Sequence, residues 1–254
     1  MIKGLSKQKS KNIRLLHSNK GRQKQNRYIG ETAKLFEFVY QYANSLIEEI
    51  YCTEKWYLDH KASYDLTQFD VFIISLKELK TISLLKTPHD VLFTMSPVKS
   101  DFSNEDKLII LLDSIQDAGN LGTIIRTLSW FGINTLYCSK DSVDVYNPKV
   151  IQASMGAFVL VDVRYVDLSD MIADRPETTF FYTDMNGESI YSYPISTKEN
   201  IGIVFGNEGK GVSSAIRKQI GKSISIPAMS LRKPESLNLS ISVGIIISQL
   251  KGKL

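Results

Sequence analysis

The chain has 254 residues, enough for one large or two modest domains with an adequate core. Two scattered cysteines, Cys52 and Cys138, exclude a disulfide framework, and three histidines with no ligand spacing to them give no zinc site. Net charge is only +4, yet residues 1–30 hold nine Lys or Arg and no Asp or Glu.

In that basic opening Lys7, Lys11 and Arg14 fall at spacings of four and three, so they share a helical face with Ile13, Leu15 and Leu16 turned partly inward. An acid-free cation cluster suits a polyanion such as RNA phosphate, and a solvated or frayed terminus is the competing explanation. Tyr28 is the one aromatic candidate for base stacking there. No cleavage-site pattern follows and no apolar run approaches a membrane span, so the expectation is a soluble, cytoplasmic protein. From Tyr28 to about Lys99 the pattern alternates: KLFEFVYQYAN reads as a helix with Leu35, Phe38 and Val39 inward, and IEEIYCT, VFIIS and VLFTMS read as strands. This predicts a small α/β domain over residues 1–99. Pro97 to Asp106 is polar and turn-rich, the best linker in the chain, and a second domain is expected over 104–254.

The second domain opens with the apolar strand KLIILLDSI. QDAGNLG reads as a loop and TIIRTLSWFG as a helix ended by Gly132 at C′, with Ile124, Leu128 and Phe131 buried. Arg126 then sits in the first helical turn, about 200° round from Ile124, where a cation opposes the macrodipole. Either something outside the helix compensates, or Arg126 is a plain surface residue. NTLYCS reads as a strand and YNPKVIQASMGAF as a helix with Pro148 near N1, and VLVDVRYV and TFFYTDMNG as further strand candidates. Ile201 to Phe205 is a short β-branched run and reads as a buried strand, broken at GNEGKG by Gly206, Gly209 and Gly211. That glycine loop is neither a phosphate loop nor a dinucleotide fingerprint, and by itself it is only a connection. Ser223 to Pro227 reads as a second strand ending in another loop, and two such loops are where an open α/β sheet binds ligands. The last segment alternates from Leu237 to Ile245 like a strand, yet Ser240, Gly244 and Ser248 make a helical stripe. Length, and Ser236 as a plausible N-cap, favour a helix.

Three blocks, DSIQDAGNLGTIIRTLSWFG, IVFGNEGKGVS and SIPAMSLRKPESLNLSISVGI, together resemble the SpoU (TrmH-like) RNA ribose 2′-O-methyltransferases of the SPOUT class. YNPKVIQASMGA is also similar, and the resemblance covers about Leu108 to Leu250; residues 1–99 are more loosely similar to the family's N-terminal RNA-binding domain. It implies a deep trefoil knot, which periodicity would not suggest. It also implies S-adenosylmethionine held mainly by the backbone of Gly206, Ile226 and Leu237, a homodimer, and an RNA substrate, ribosomal RNA favoured with transfer RNA as the alternative. Alternatives are a non-catalytic RNA-binding assembly factor and methylation of a base. The site residues carried over are Arg126, Asn120, Glu208, Ser236 and Asn238. Arg126 would activate or position the ribose, Asn120 hold the loop or the nucleotide, and Glu208 pair with Arg126 or a neighbouring chain. Ser236 and Asn238 would serve the site or only cap the helix, with Asn207 and Lys210 as weaker candidates. The chain departs from the family at Ala118, where proline is common, at Gln152, where a basic residue is common, and at the lengthened loop 232–234.

Overall fold

The computed structural model describes residues 4–98, 107–192, 199–230 and 234–252, so most of the expected linker lies outside the described residues. Two compact units form: residues 1–100 with 146–159, and residues 101–145 with 160–254.

The first unit is built on a four-stranded sheet of β1 (Tyr28–Glu31), β2 (Ile47–Cys52), β3 (Asp70–Ile73) and β4 (Val91–Met95), in the order β1-β4-β2-β3. Only the β2–β3 pair is parallel. Strand alternation divides its apolar residues between two layers. Ile29, Tyr51, Phe72 and Leu92 meet Ile13 and Leu16 of the α1 region (helix Lys7–Leu15), together with Leu79 and Ile82. On the other side Phe93 packs edge-on to Phe36 of the helix Ala33–Ala43, and Tyr28 stacks on Tyr146 at 3.9 Å. Tyr28 is therefore core and is not offered to a base. Two further expectations change: Leu15 is exposed, and Phe36 rather than Phe38 joins Leu35 and Val39 inside their helix. β1 has no counterpart in the sequence reading.

The second unit is an all-parallel sheet of six strands: Leu108–Leu112, Thr135–Ser139, Asp162–Val166, Thr178–Ser189, Asn200–Phe205 and Ser223–Ser225. Numbered β5 to β10 in chain order, they lie as β10-β8-β9-β5-β6-β7. One face, with Leu111, Phe180 and Val204, packs on Leu168, Met171, Ile172 and Ile216 from the helices Leu168–Ala173 and Ser214–Ile220. The alternate residues Leu108, Ile110 and Leu112 are buried as well, as a parallel sheet covered on both faces requires. Burial on both faces explains why these strands read as continuous apolar runs. The two longest helices of this unit, Ala118–Trp130 and Leu239–Lys251, pack against each other. They are called α6 and α10 below, by chain order. Among the described residues no helix is long and apolar enough to cross a membrane.

Candidate active site

The ends of β5 and β9 carry the site. Paired side by side, they bring the loops after Leu112 and Phe205 together, and the Asp113 N–H donates to the Phe205 carbonyl at 2.8 Å. Past Phe205 the chain folds back on itself through a bridge between Asn207 and Gly211. The Asn207 side chain braces this loop from inside: its Oδ1 accepts the Gly209 and Lys210 N–H groups, and its Nδ2 donates to the Ser114 carbonyl at 2.8 Å. A Cβ on buried Gly206 would lie 2.1 Å from the Val212 nitrogen and 2.2 Å from the Gly211 carbonyl carbon, so only glycine permits the closure. Gly211 has φ +69 and lies against the Arg217 guanidinium. Arg217 is itself tied to the Val212 carbonyl and to Asp184. The loop is a rigid mount with Glu208, Gly209 and Lys210 exposed at its tip.

On the β5 side, Ser114 adopts φ +60 and donates from Oγ to Asp141 at 2.6 Å, while Ser139 donates to the other oxygen of the same carboxylate at 2.6 Å. The Ser114 and Ser139 hydroxyls hold the Asp141 carboxyl below its ordinary range. Asp113 accepts the Ser213 N–H at 2.8 Å. Sequence reasoning assigned no role to Asp113, Ser114 or Asp141. Asp113 follows a strand directly and was detectable, whereas nothing in the sequence pairs Asp141 with a serine 27 positions earlier.

α6 begins earlier than the sequence suggested. Asp117 is its N-cap, accepting the Asn120 N–H at 2.7 Å, and Ala118 to Gly122 are helical. The two glycines and an asparagine read as a turn, but Leu121 starts the buried stripe Leu121, Ile124, Ile125 and Leu128, and tertiary packing overrides composition. Gly132 does stand at C′, with φ +67. Arg126 is consequently past the second turn, where the macrodipole has faded, and the adverse terminus inferred for it disappears.

Asn120, now on the first turn, is the junction of the site. Its Nδ2 donates to Glu208 Oε1 at 2.9 Å, and its Oδ1 accepts from Asn238 Nδ2 at 2.9 Å. Asn238 Oδ1 in turn accepts the Ser240 hydroxyl at 2.7 Å and the Ser240 and Ile241 N–H groups at 2.9 and 3.3 Å. Asn238, not Ser236, is thus the N-cap of α10; Ser236 is exposed and makes no hydrogen bond among the described residues. The amide orientations follow without choice. A capping oxygen leaves Asn238 only its NH₂ for Asn120, which leaves Asn120 only its NH₂ for the carboxylate.

Arg126 stands apart from this chain of amides. Six residues beyond Asn120 it lies about 9 Å along the axis and about 120° round it. Its side chain is exposed and has neither a hydrogen bond nor an ion pair among the described residues, so the expected Arg126–Glu208 pairing does not occur within one chain. On its side of α6, one turn on, Trp130 is 86% exposed, and on the packed neighbour α10 Ile241 is 54% exposed. Ile226 and Leu237, at the two ends of the loop between β10 and α10, enter no hydrogen bond among the described residues, leaving their backbone groups free.

The SpoU rRNA Methylase family matches residues 107–248. The 23S rRNA (guanosine(2553)-2′-O)-methyltransferase RlmP of Bacillus subtilis is 25% identical over 255 residues, covering 99% of each chain. The 23S rRNA (guanosine-2′-O-)-methyltransferase RlmB of Neisseria meningitidis is 30% identical over 151 residues, 58% of this chain and 59% of its own. Among solved structures, a TrmH-family protein from Porphyromonas gingivalis superposes with a TM-score of 0.84 at 29% identity, over 98% of this chain and 99% of that one. An AdoMet-bound rRNA methyltransferase from Sinorhizobium meliloti has the same fold, with a TM-score of 0.84 at 22% identity over 100% and 97% of the two chains.

Proposed function

This chain belongs to the SpoU rRNA Methylase family, and from that premise we propose that it transfers a methyl group from S-adenosylmethionine to a ribose 2′-hydroxyl of RNA, ribosomal RNA first. The observation that carries the reading is the run of hydrogen bonds from Asn238 through Asn120 to Glu208. It joins the three sequence blocks of the resemblance at the carboxyl ends of parallel strands, where such sheets bind ligands.

The residues fit the cofactor. Gly206 lets the loop close on its own Gly211 and Val212 backbone, and the free backbone of Ile226 and Leu237 offers N–H and C=O groups suited to an adenine edge. When bound, S-adenosylmethionine supplies an electrophilic methyl group on sulfonium. This chain's work is then to hold the ribose oxygen in line and to let its proton leave. Arg126 is assigned the first task. A guanidinium is always charged, and with no dipole at its position it clasps the ribose and the adjacent phosphate while the proton passes to water or phosphate. Glu208, fixed by Asn120, presents its second oxygen at the loop tip. Ser236 and Leu237 are exposed just before Asn238, which ties the start of α10 to Asn120.

A homodimer completes the assignment. Trp130 is exposed one turn from Arg126 on α6 and Ile241 is exposed on the packed α10, and a second copy covering these apolar side chains would carry Arg126 to the partner's Glu208-bearing loop. The reading also includes the family's trefoil knot, an N-terminal unit that holds RNA, and a cytoplasmic location. Incubation with methyl-labelled cofactor and RNA, followed by nuclease digestion and mass analysis, tests it: 2′-O-methyl nucleosides are expected, and label in bases or no label at all would overturn it.

A further inference from the structure

The nine cations of residues 1–30 are not equivalent once folded. Three serve the fold. Lys9 meets Glu49 at 2.6 Å and lies over the Phe72 ring. Buried Arg22 donates to the Leu16 and His17 carbonyls at the end of α1. Arg27 pairs with Glu48 at 2.5 Å and with Glu49 at 3.5 Å. Lys3 lies outside the described residues. The other five, Lys7, Lys11, Arg14, Lys20 and Lys24, are exposed and have no side-chain hydrogen bond or ion pair among the described residues.

Their placement is regular. At about 100° per residue, Lys7, Lys11 and Arg14 span roughly 60° of α1, and Lys9, Ile13 and Leu16 fall on the opposite side, about 180–240° round. The next helix, α2 (Asn19–Gln25), repeats the plan, with Lys20 and Lys24 outward and Arg22 about 200° away, inward. Like charges four apart destabilise a helix, and neither helix has an acid in its first turn to offset them. Arg14 and Lys24, in the last turns, gain from the macrodipole, but nothing described in the fold compensates for Lys7, Lys11 and Lys20, whereas each inward cation is fully engaged.

We propose that the outward stripe of Lys7, Lys11, Arg14, Lys20 and Lys24 is a docking surface for the phosphate backbone of RNA. The assignment rests on the RNA-directed function above and sharpens it, because it separates contact residues from structural ones in a uniformly basic segment. A membrane surface is the poorer occupant: a helix lying in a bilayer inserts its apolar face, and here that face, Ile13 and Leu16, is buried in the unit's own core.

The test uses the full chain and a fluorescein-labelled RNA hairpin, with affinity followed by anisotropy across a salt series. Each lost phosphate contact lowers the log–log salt slope by about 0.7–0.9. The triple variant Lys7→Gln, Lys11→Gln, Arg14→Gln is expected to lose about two to three of slope, and Lys20→Gln with Lys24→Gln about one to two. Lys9→Gln removes the same kind of charge and should lower the melting temperature while leaving the slope in place. Wild-type slopes in both stripe variants, a slope change confined to Lys9→Gln, or capture by phosphatidylserine vesicles in preference to the hairpin would each overturn the proposal. Methyl transfer measured alongside separates the two readings. A wild-type chain that binds with the full slope but methylates no RNA counts against the enzyme alone; an active chain whose stripe variants keep that slope counts against the stripe alone.

Discussion

Replacing Asn238 by aspartate separates two jobs that the wild-type residue performs at once. As N-cap of α10 it needs only an oxygen, and Asp caps as well as Asn. A carboxylate at a helix N-terminus also gains about 0.3–1 kcal/mol from the macrodipole, so the capping job by itself is kept or slightly improved. The link to Asn120 needs an N–H, which Asp lacks. The Asn120 oxygen would then face a carboxylate at about the 2.9 Å of the present bond. If the amide turns over to avoid this, its oxygen faces Glu208 instead, across another 2.9 Å contact. Either way one acceptor confronts an anion, and losing a hydrogen bond to a charged group costs about 1.5–3 kcal/mol. Expressed in the transition state, that is roughly a 10- to 150-fold fall in kcat/KM. Asn238→Ala loses the cap too and should cost about 1 kcal/mol of stability besides. Single-turnover methyl transfer and thermal unfolding measured on both variants decide the matter. An Asn238→Asp chain with wild-type activity at a temperature where it stays folded would refute the polarity argument.

Gly206→Ala should push apart the Gly211 and Val212 backbone and weaken cofactor binding at least tenfold by calorimetry, and a wild-type affinity would show the closure to be unnecessary. The Asp141 clasp gives a pH dependence of defined sign. Its carboxyl is depressed in the folded chain, so its stabilisation is complete above the unfolded value of about 3.9 and is lost as pH falls through the lower folded value. Ser114→Ala should therefore flatten the acid limb of a stability–pH curve, and an unchanged limb counts against the clasp. Two inactive chains, one with Arg126→Ala and the other with Asn120→Ala, should regain about a quarter of wild-type activity when co-expressed at equal levels, because half the dimers then hold one intact site of two. No recovery would mean that Arg126 serves its own chain or that no dimer forms.

The central strands of the second unit were legible because each is a short apolar run and a parallel sheet buries both faces. β1 was not, since YIGE is four residues long, contains a glycine, and is extended because its neighbour β4 pairs with it. The start of α6 was lost for a related reason. Its first turn is assembled from residues that favour turns when alone, and it is held helical by the Asp117 cap and by Leu121 in the core. Ser236 and Asn238 show the limit of capping rules: both are good caps two residues apart, and the competing demand for an amide donor to Asn120 falls only on the asparagine. The site residues were named through family resemblance, and the contacts among Asn120, Glu208 and Asn238 span 88 and 118 positions, distances no local pattern encodes.

That same long-range wiring explains why Arg126 looks superfluous in a single chain. Asn120 already occupies one oxygen of Glu208, so the carboxylate gains no added charge from its neighbour and keeps an acceptor open at the loop tip. α6 meanwhile turns Arg126 about 120° away from Asn120, beside an indole that is almost wholly exposed. A cation and an anion, each exposed and each without an ion-pair partner among the described residues, are placed where one helix cannot bring them together. An indole this exposed is costly on a free surface and ordinary in an interface core. In the proposed homodimer the two halves would complement each other, the carboxylate loop of one chain and the guanidinium of the other meeting over one ribose.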